Sequence, residues 1–273
     1  MDVKTGSLDI QPAWHHFLNQ ATRFRHALAE GAAQVAGDVK DHAEAFWVDS
    51  TDFVARQTQP VLPLVQHEDS PKLTVGKKVL IIGDSQTVGP YGKTLDQLAR
   101  ASGAKVSTHA SWGASPHWFF NGQETSKYWT RDVAGHPDTR KHTETPLLNE
   151  LLAAERPDVV VVTMGGNMIA GNASQSEVTS QVSQIGNAVS ASGAQLIWVG
   201  PPKYDPQKRS PEVVEQFYQK LRNIVPEYGT LIDSRPHIEE YSGSDGLHYS
   251  GAKGERIARE WATGVFQEIQ KLP

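Results

Sequence analysis

No cysteine occurs in the 273-residue chain. That removes disulfides, thiolate metal sites and thiol nucleophiles from the available chemistry, and leaves the redox compartment undetermined. Long uncharged apolar runs are also missing, and mean hydropathy is −0.46, so no membrane-spanning helix is expected. Basic residues form no stripe interleaved with aromatics; 26 Lys and Arg stand against 31 Asp and Glu, a formal charge of −5. Nucleic acid is therefore not an expected partner. Met1 to Pro12 have neither the cationic start nor the apolar centre of a secretory leader. This points to a cytoplasmic protein, to export by a signal-independent route, or to a leader removed ahead of Met1.

What is present falls into two parts. From Gln11 to about Val54, apolar residues recur at three and four: Trp14, Phe17, Leu18, Ala21, Phe24, Leu28, Ala32, Val35, Val39, Ala43, Phe46, Trp47 and Phe53. This is an amphipathic helical pattern. Pro60, Pro63 and Pro71, with the polar His67 to Ser70, then read as a linker. Residues 1–70 are expected to form a helical extension and linker, and 71–273 a catalytic domain large enough for one α/β core. The helical stripe needs an apolar surface to cover, either on the catalytic domain, within itself, or on a docking partner or second copy of the chain.

Beyond residue 70 the pattern becomes β-α repetition. The stretch Lys78 to Gly92, KVLIIGDSQTVGPYG, opens with a continuous apolar run of the kind seen in a parallel strand covered on both faces. Further strands are expected at Ala104 to Ala110, at the VVVVTM run after Asp158, at Ala194 to Gly200 and at Gly229 to Asp233. Helices are expected from near Pro90, and over Leu147 to Ala154, Ser174 to about Ser192, Pro211 to Val225 and Ser250 to Gln270. The predicted fold is a doubly wound, flavodoxin-like α/β domain with a parallel five-stranded sheet and helices on both faces. An insertion at about 112–147 breaks the rhythm. It carries Trp118, Phe119, Phe120, Tyr128 and Trp129, rings suited to a small local core or to stacking against a sugar or acyl group. His117, His136 and His142 within it lack metal-like spacing with carboxylates, and no metal site is expected.

Four strand ends carry polar groups able to act together. Ser85 follows Gly83-Asp84, Gly113 follows the second strand, Asn167 follows Gly165-Gly166, and Asp245-Gly246-Leu247-His248 lies ahead of the last helix. In open α/β sheets the crevice beyond the strands' carboxyl ends is where ligands bind. A nucleophilic serine needs a base within reach, an orienter behind that base, and donors aimed at the developing oxyanion. Asp245, three residues before His248, can hold Nδ1 and leave Nε2 to act as base.

With these blocks in order, residues from about 75 to 270 resemble the SGNH (GDSL-like) hydrolase family. The resemblance implies Ser85, Asp245 and His248 as catalytic residues, and Ser85, Gly113 and Asn167 as the oxyanion hole. Two positions depart from the family pattern: Gln86 follows Ser85 where the family's common name has leucine, and Met168 follows Asn167 where the third block has aspartate. The implied activity is a serine esterase that removes short acyl groups, acetyl above all, from a carbohydrate or cell-wall glycan through an acyl-enzyme. Trp112, Trp118 and Phe119 are the candidate substrate-binding residues, and no cofactor is required. The rivals are an O-acyltransferase or a lipase-like esterase on the same triad, and an inactive glycan-binding module tethered by the N-terminal helices.

Overall fold

The computed structural model describes residues 74–273; the expected N-terminal helix, the linker and the boundary near residue 70 lie outside the described residues. A seven-stranded sheet organises the domain, in the order β4-β3-β2-β1-β5-β6-β7. Its strands are β1 Lys78–Gly83, β2 Lys105–Ser111, β3 Glu124–Arg131, β4 Pro137–Glu144, β5 Val159–Thr163, β6 Gln195–Val199 and β7 Gly229–Ile232. The strands expected from the sequence pair in parallel in the order β2-β1-β5-β6-β7, which is the flavodoxin-like arrangement.

The remaining two strands correct the expectation of a five-stranded sheet. The insertion is a β-hairpin, with β3 antiparallel to both β2 and β4. Tyr128, Trp129 and Thr130 give β3 strong strand preference. By contrast, β4 (PDTRKHTE) is almost wholly exposed. Held by backbone pairing and not by burial, it shows no apolar alternation, and its charged side chains suit a sheet edge.

Strand alternation splits the apolar run of β1 between two cores. Leu80 and Ile82 face one side with Val160, Val162, Leu196 and Trp198. That side is covered by α4 (Leu148–Glu155), α6 (Gln175–Ala191) and α7 (Pro211–Arg222). Val79 and Ile81 face the other with Val106, Val161 and Ile197, beneath α2 (Pro90–Ala101) and α8 (Gly251–Lys271). Each fully buried aliphatic side chain contributes about 1.5–3 kcal/mol relative to exposure, so the two cores fix strand register and helix placement together. Short helices α1 (Ser85–Val88), α3 (Trp118–Asn121) and α5 (Gly166–Ala170) sit at strand ends and in the insertion. Among the described residues no helix is long and apolar enough to cross a membrane.

Candidate active site

β1 lies between β2 and β5, so its carboxyl end opens beside the ends of both neighbours. Gly83 makes the exit from β1 possible: a Cβ there would stand 2.0 Å from Thr87 Oγ1 and 3.0 Å from the Thr163 carbonyl oxygen. The chain can therefore turn directly into α1, whose first residue is Ser85. Asp84 caps that helix, its carboxylate accepting the Gln86 N–H at 2.9 Å.

The loop after β7 meets this serine. His248 Nε2 stands 2.8 Å from Ser85 Oγ, and His248 Nδ1 stands 2.6 Å from Asp245 Oδ2. The second carboxylate oxygen of Asp245 accepts the Leu247 and His248 N–H groups at 2.8 and 2.7 Å. Burial is the largest single influence on Asp245 and pushes its pKa up. The opposing hydrogen bonds from the His248 ring and from the His248 and Leu247 backbone nevertheless hold the carboxyl well below the usual range. It stays ionised, and its bond to Nδ1 fixes the ring with Nε2 toward the serine. A hydroxyl placed against such an imidazole can pass its proton to it.

Two further side chains brace the histidine loop. Gln86 Nε2 donates to the Leu247 carbonyl at 2.9 Å, tying the serine helix to the residue before His248. The Tyr241 hydroxyl accepts the Gly246 N–H at 2.8 Å and lies 3.3 Å from Asp245 Oδ1. Neither role was evident from the sequence. Gln86 stood out only as a departure from the family's leucine, and Tyr241 lies before the Asp-x-x-His block with no spacing signal of its own.

The second and third blocks meet at Ala114, whose carbonyl accepts the Asn167 side-chain amide at 2.9 Å. This bond anchors Asn167 without help from its successor, and Met168 packs in the core, 3% exposed. Gly113 adopts φ +83°, a conformation that favours glycine, with the Trp118 ring against the place a Cβ would occupy. Among the described residues, neither the Ser85 nor the Gly113 N–H has a backbone acceptor.

The three aromatic candidates part company. Trp112 is half-buried and stacks on the His248 ring, centroids 4.5 Å apart. Trp118 is half-buried beside Gly113. Phe119 is 0% exposed within the core beside Leu148 and Leu151, so its expected contact with substrate gives way to packing. Its helix turns that ring inward, which periodicity within a short insertion could not reveal. His117 Nδ1 lies 3.2 Å from Gln181 Oε1, and His136 and His142 are exposed beside Asp132 and Glu124. Among the described residues no group of three or more His, Asp or Glu is disposed to hold a metal.

Burial raises the Asp84 carboxyl from 3.8 to about 6, against the Gln86 N–H and the charges of His248 and Arg209. Arg209 lies with its guanidinium 4.3 Å over the Tyr204 ring.

Compared with known proteins, residues 81–254 match the profile of the GDSL-like Lipase/Acylhydrolase family. A putative SGNH hydrolase from Slackia heliotrinireducens superposes with TM-score 0.50 at 22% identity, covering 69% of this chain and 98% of its own. A DUF4886 family protein from Bacteroides uniformis gives TM-score 0.50 at 15% identity, covering 71% and 83%. Both likenesses are of fold. No curated protein sequence matches the chain.

Proposed function

The chain belongs to the GDSL-like lipase/acylhydrolase family, and on that premise we propose that it is a serine esterase in which Ser85 is the nucleophile, His248 the general base and Asp245 its orienter. The observation carrying this reading is the unbroken hydrogen-bonded chain from Asp245 through His248 to Ser85, at 2.6 and 2.8 Å. His248 Nε2 takes the Ser85 proton as Oγ attacks the ester carbonyl. The tetrahedral intermediate collapses to an acyl-enzyme, and His248 returns the proton to the departing alcohol. Water, activated by the same nitrogen, then releases the acid.

The oxyanion donors in this reading are the Ser85 and Gly113 N–H groups and the Asn167 amide. An amide nitrogen carries two hydrogens, so the bond to Ala114 leaves one for the oxyanion. For substrate we propose short acyl esters, acetyl first, of a carbohydrate alcohol. Supporting this is the half-buried Trp118 indole beside Gly113, an amphipathic face on which a sugar ring can stack.

The test is hydrolysis of p-nitrophenyl acetate by Ser85→Ala and His248→Ala, with folding checked by circular dichroism. Each variant should lose nearly all turnover, since members of such a unit fail singly almost as badly as together. Substantial activity in folded Ser85→Ala would refute the serine mechanism.

A further inference from the structure

Trp112, the first residue of the insertion, lies against the imidazole of His248. One side of its environment is the small cluster of Val88, Ala110 and Trp129; the His248 imidazole stacks on the ring with an interplanar angle of 29°. Its backbone is pinned to the hairpin, the N–H donating to the Lys127 carbonyl at 2.9 Å and its own carbonyl accepting the Thr125 hydroxyl at 2.9 Å. Thr125 and Lys127 belong to β3, one of the strands added to the parallel sheet. The hairpin therefore holds an aromatic plate at fixed height against the imidazole.

We propose that Trp112 is a positioning residue for His248, acting through its π face on the imidazolium that forms as Ser85 attacks, and not a platform for the alcohol part of the substrate. The inference rests on the reading of His248 as general base. In the resting site the stack blocks rotation of the ring away from Ser85. In the transition state the imidazole gains positive charge while Nδ1 remains tied to Asp245, and an indole face attracts a cation above it. The attraction is stronger in the transition state than in the ground state, so it raises kcat and leaves KM nearly unchanged.

The test uses the full chain and a small alkyl fluorophosphonate, which reports the reactivity of Ser85 without any sugar or long alcohol. Trp112→Leu, which keeps apolar bulk without a π face, should label about tenfold more slowly than wild type, and Trp112→Phe within about threefold of it. On p-nitrophenyl acetate the Leu variant should lose kcat with KM changed less than twofold. If Trp112→Leu does not fold, fluorinated tryptophans placed at position 112 keep the shape while weakening the π face, and labelling should slow stepwise with fluorine number. Wild-type labelling rates in Trp112→Leu, a rise in KM alone, equal losses in the Leu and Phe variants, or a flat response to fluorination would each overturn the proposal. Ser85→Ala separates the two levels of argument. If it labels like wild type, or wild type does not label, the serine mechanism itself fails; if wild type labels and Ser85→Ala does not, but the Trp112 variants label at the wild-type rate, the positioning role alone fails.

Discussion

Asp84 is the residue at which stability and function should be separable. It is 3% exposed, and burial lifts its carboxyl from 3.8 to about 6. A raised folded-state value means that the native protein holds the proton more tightly than the unfolded chain does. This contribution is fully present below pH 4 and is lost as the pH rises through about 6. A shift of roughly 2 units corresponds to about 3 kcal/mol at most. Asp84→Asn removes the buried charge and keeps a side chain that caps helices comparably well. The amide must also find a place for its NH2 group, so the expected gain at pH 7 is about 2 kcal/mol. Urea unfolding of both proteins at half-unit steps from pH 4 to 8 isolates the effect, because every other titrating group is common to both and largely cancels in the difference. The variant's advantage should be near zero at pH 4, grow steepest around pH 5 to 6 and then level off. At pH 7 the same variant should hydrolyse p-nitrophenyl acetate more slowly, since the charge it removes lies within electrostatic reach of His248. Parallel stability curves across the whole range would refute the account of Asp84 as a buried, destabilising carboxylate.

Local chemistry made most of this legible in the sequence. The β-α order gave the parallel strands because β1, β5 and β6 are largely apolar runs ending at a turn, and the strand-end rule put Ser85, Gly113 and Asn167 just beyond the carboxyl ends of β1, β2 and β5. Asp245 and His248 were legible because their spacing closes a turn in which one carboxylate reaches both backbone and ring. The hairpin was not legible: β4 is an exposed edge whose polar side chains carry no alternation, and it exists through backbone pairing that sequence pattern does not register. Nor could spacing say which insertion rings face the crevice. Trp112 and Phe119 lie seven residues apart in one aromatic-rich stretch, yet one stacks on His248 and the other fills the core. That separation follows from the turn at Gly113 and the short helix after it, tertiary choices invisible to a periodicity argument.

Asn167→Ala should lower kcat on p-nitrophenyl acetate by roughly 10² to 10³, the range for one oxyanion donor, with KM little changed; a rise in KM alone would make Asn167 a ground-state contact. Phe119→Ala should destabilise the protein by about 3 to 5 kcal/mol in urea unfolding while sparing KM on acetylated glycan, and the reverse pattern would return Phe119 to the substrate. Acyl preference should favour acetyl and butyryl over lauroyl and palmitoyl esters in kcat/KM. An apolar pocket discriminates by only about 1 to 3 kcal/mol per methylene, so the decline should be graded with chain length and not a sharp cut-off. The acyl group and the alcohol occupy different sides of the scissile bond, and Trp118 is assigned to the alcohol. Trp118→Ala should therefore weaken activity on acetylated xylan or cell-wall glycan far more than on p-nitrophenyl acetate, and should leave the chain-length profile in place. A profile peaking at eight carbons or beyond would replace the carbohydrate-deacetylase reading with a lipase-like one on the same serine. Equal losses on both acetyl substrates would mean that Trp118 supports Gly113 and the oxyanion site from beneath, not the sugar from above.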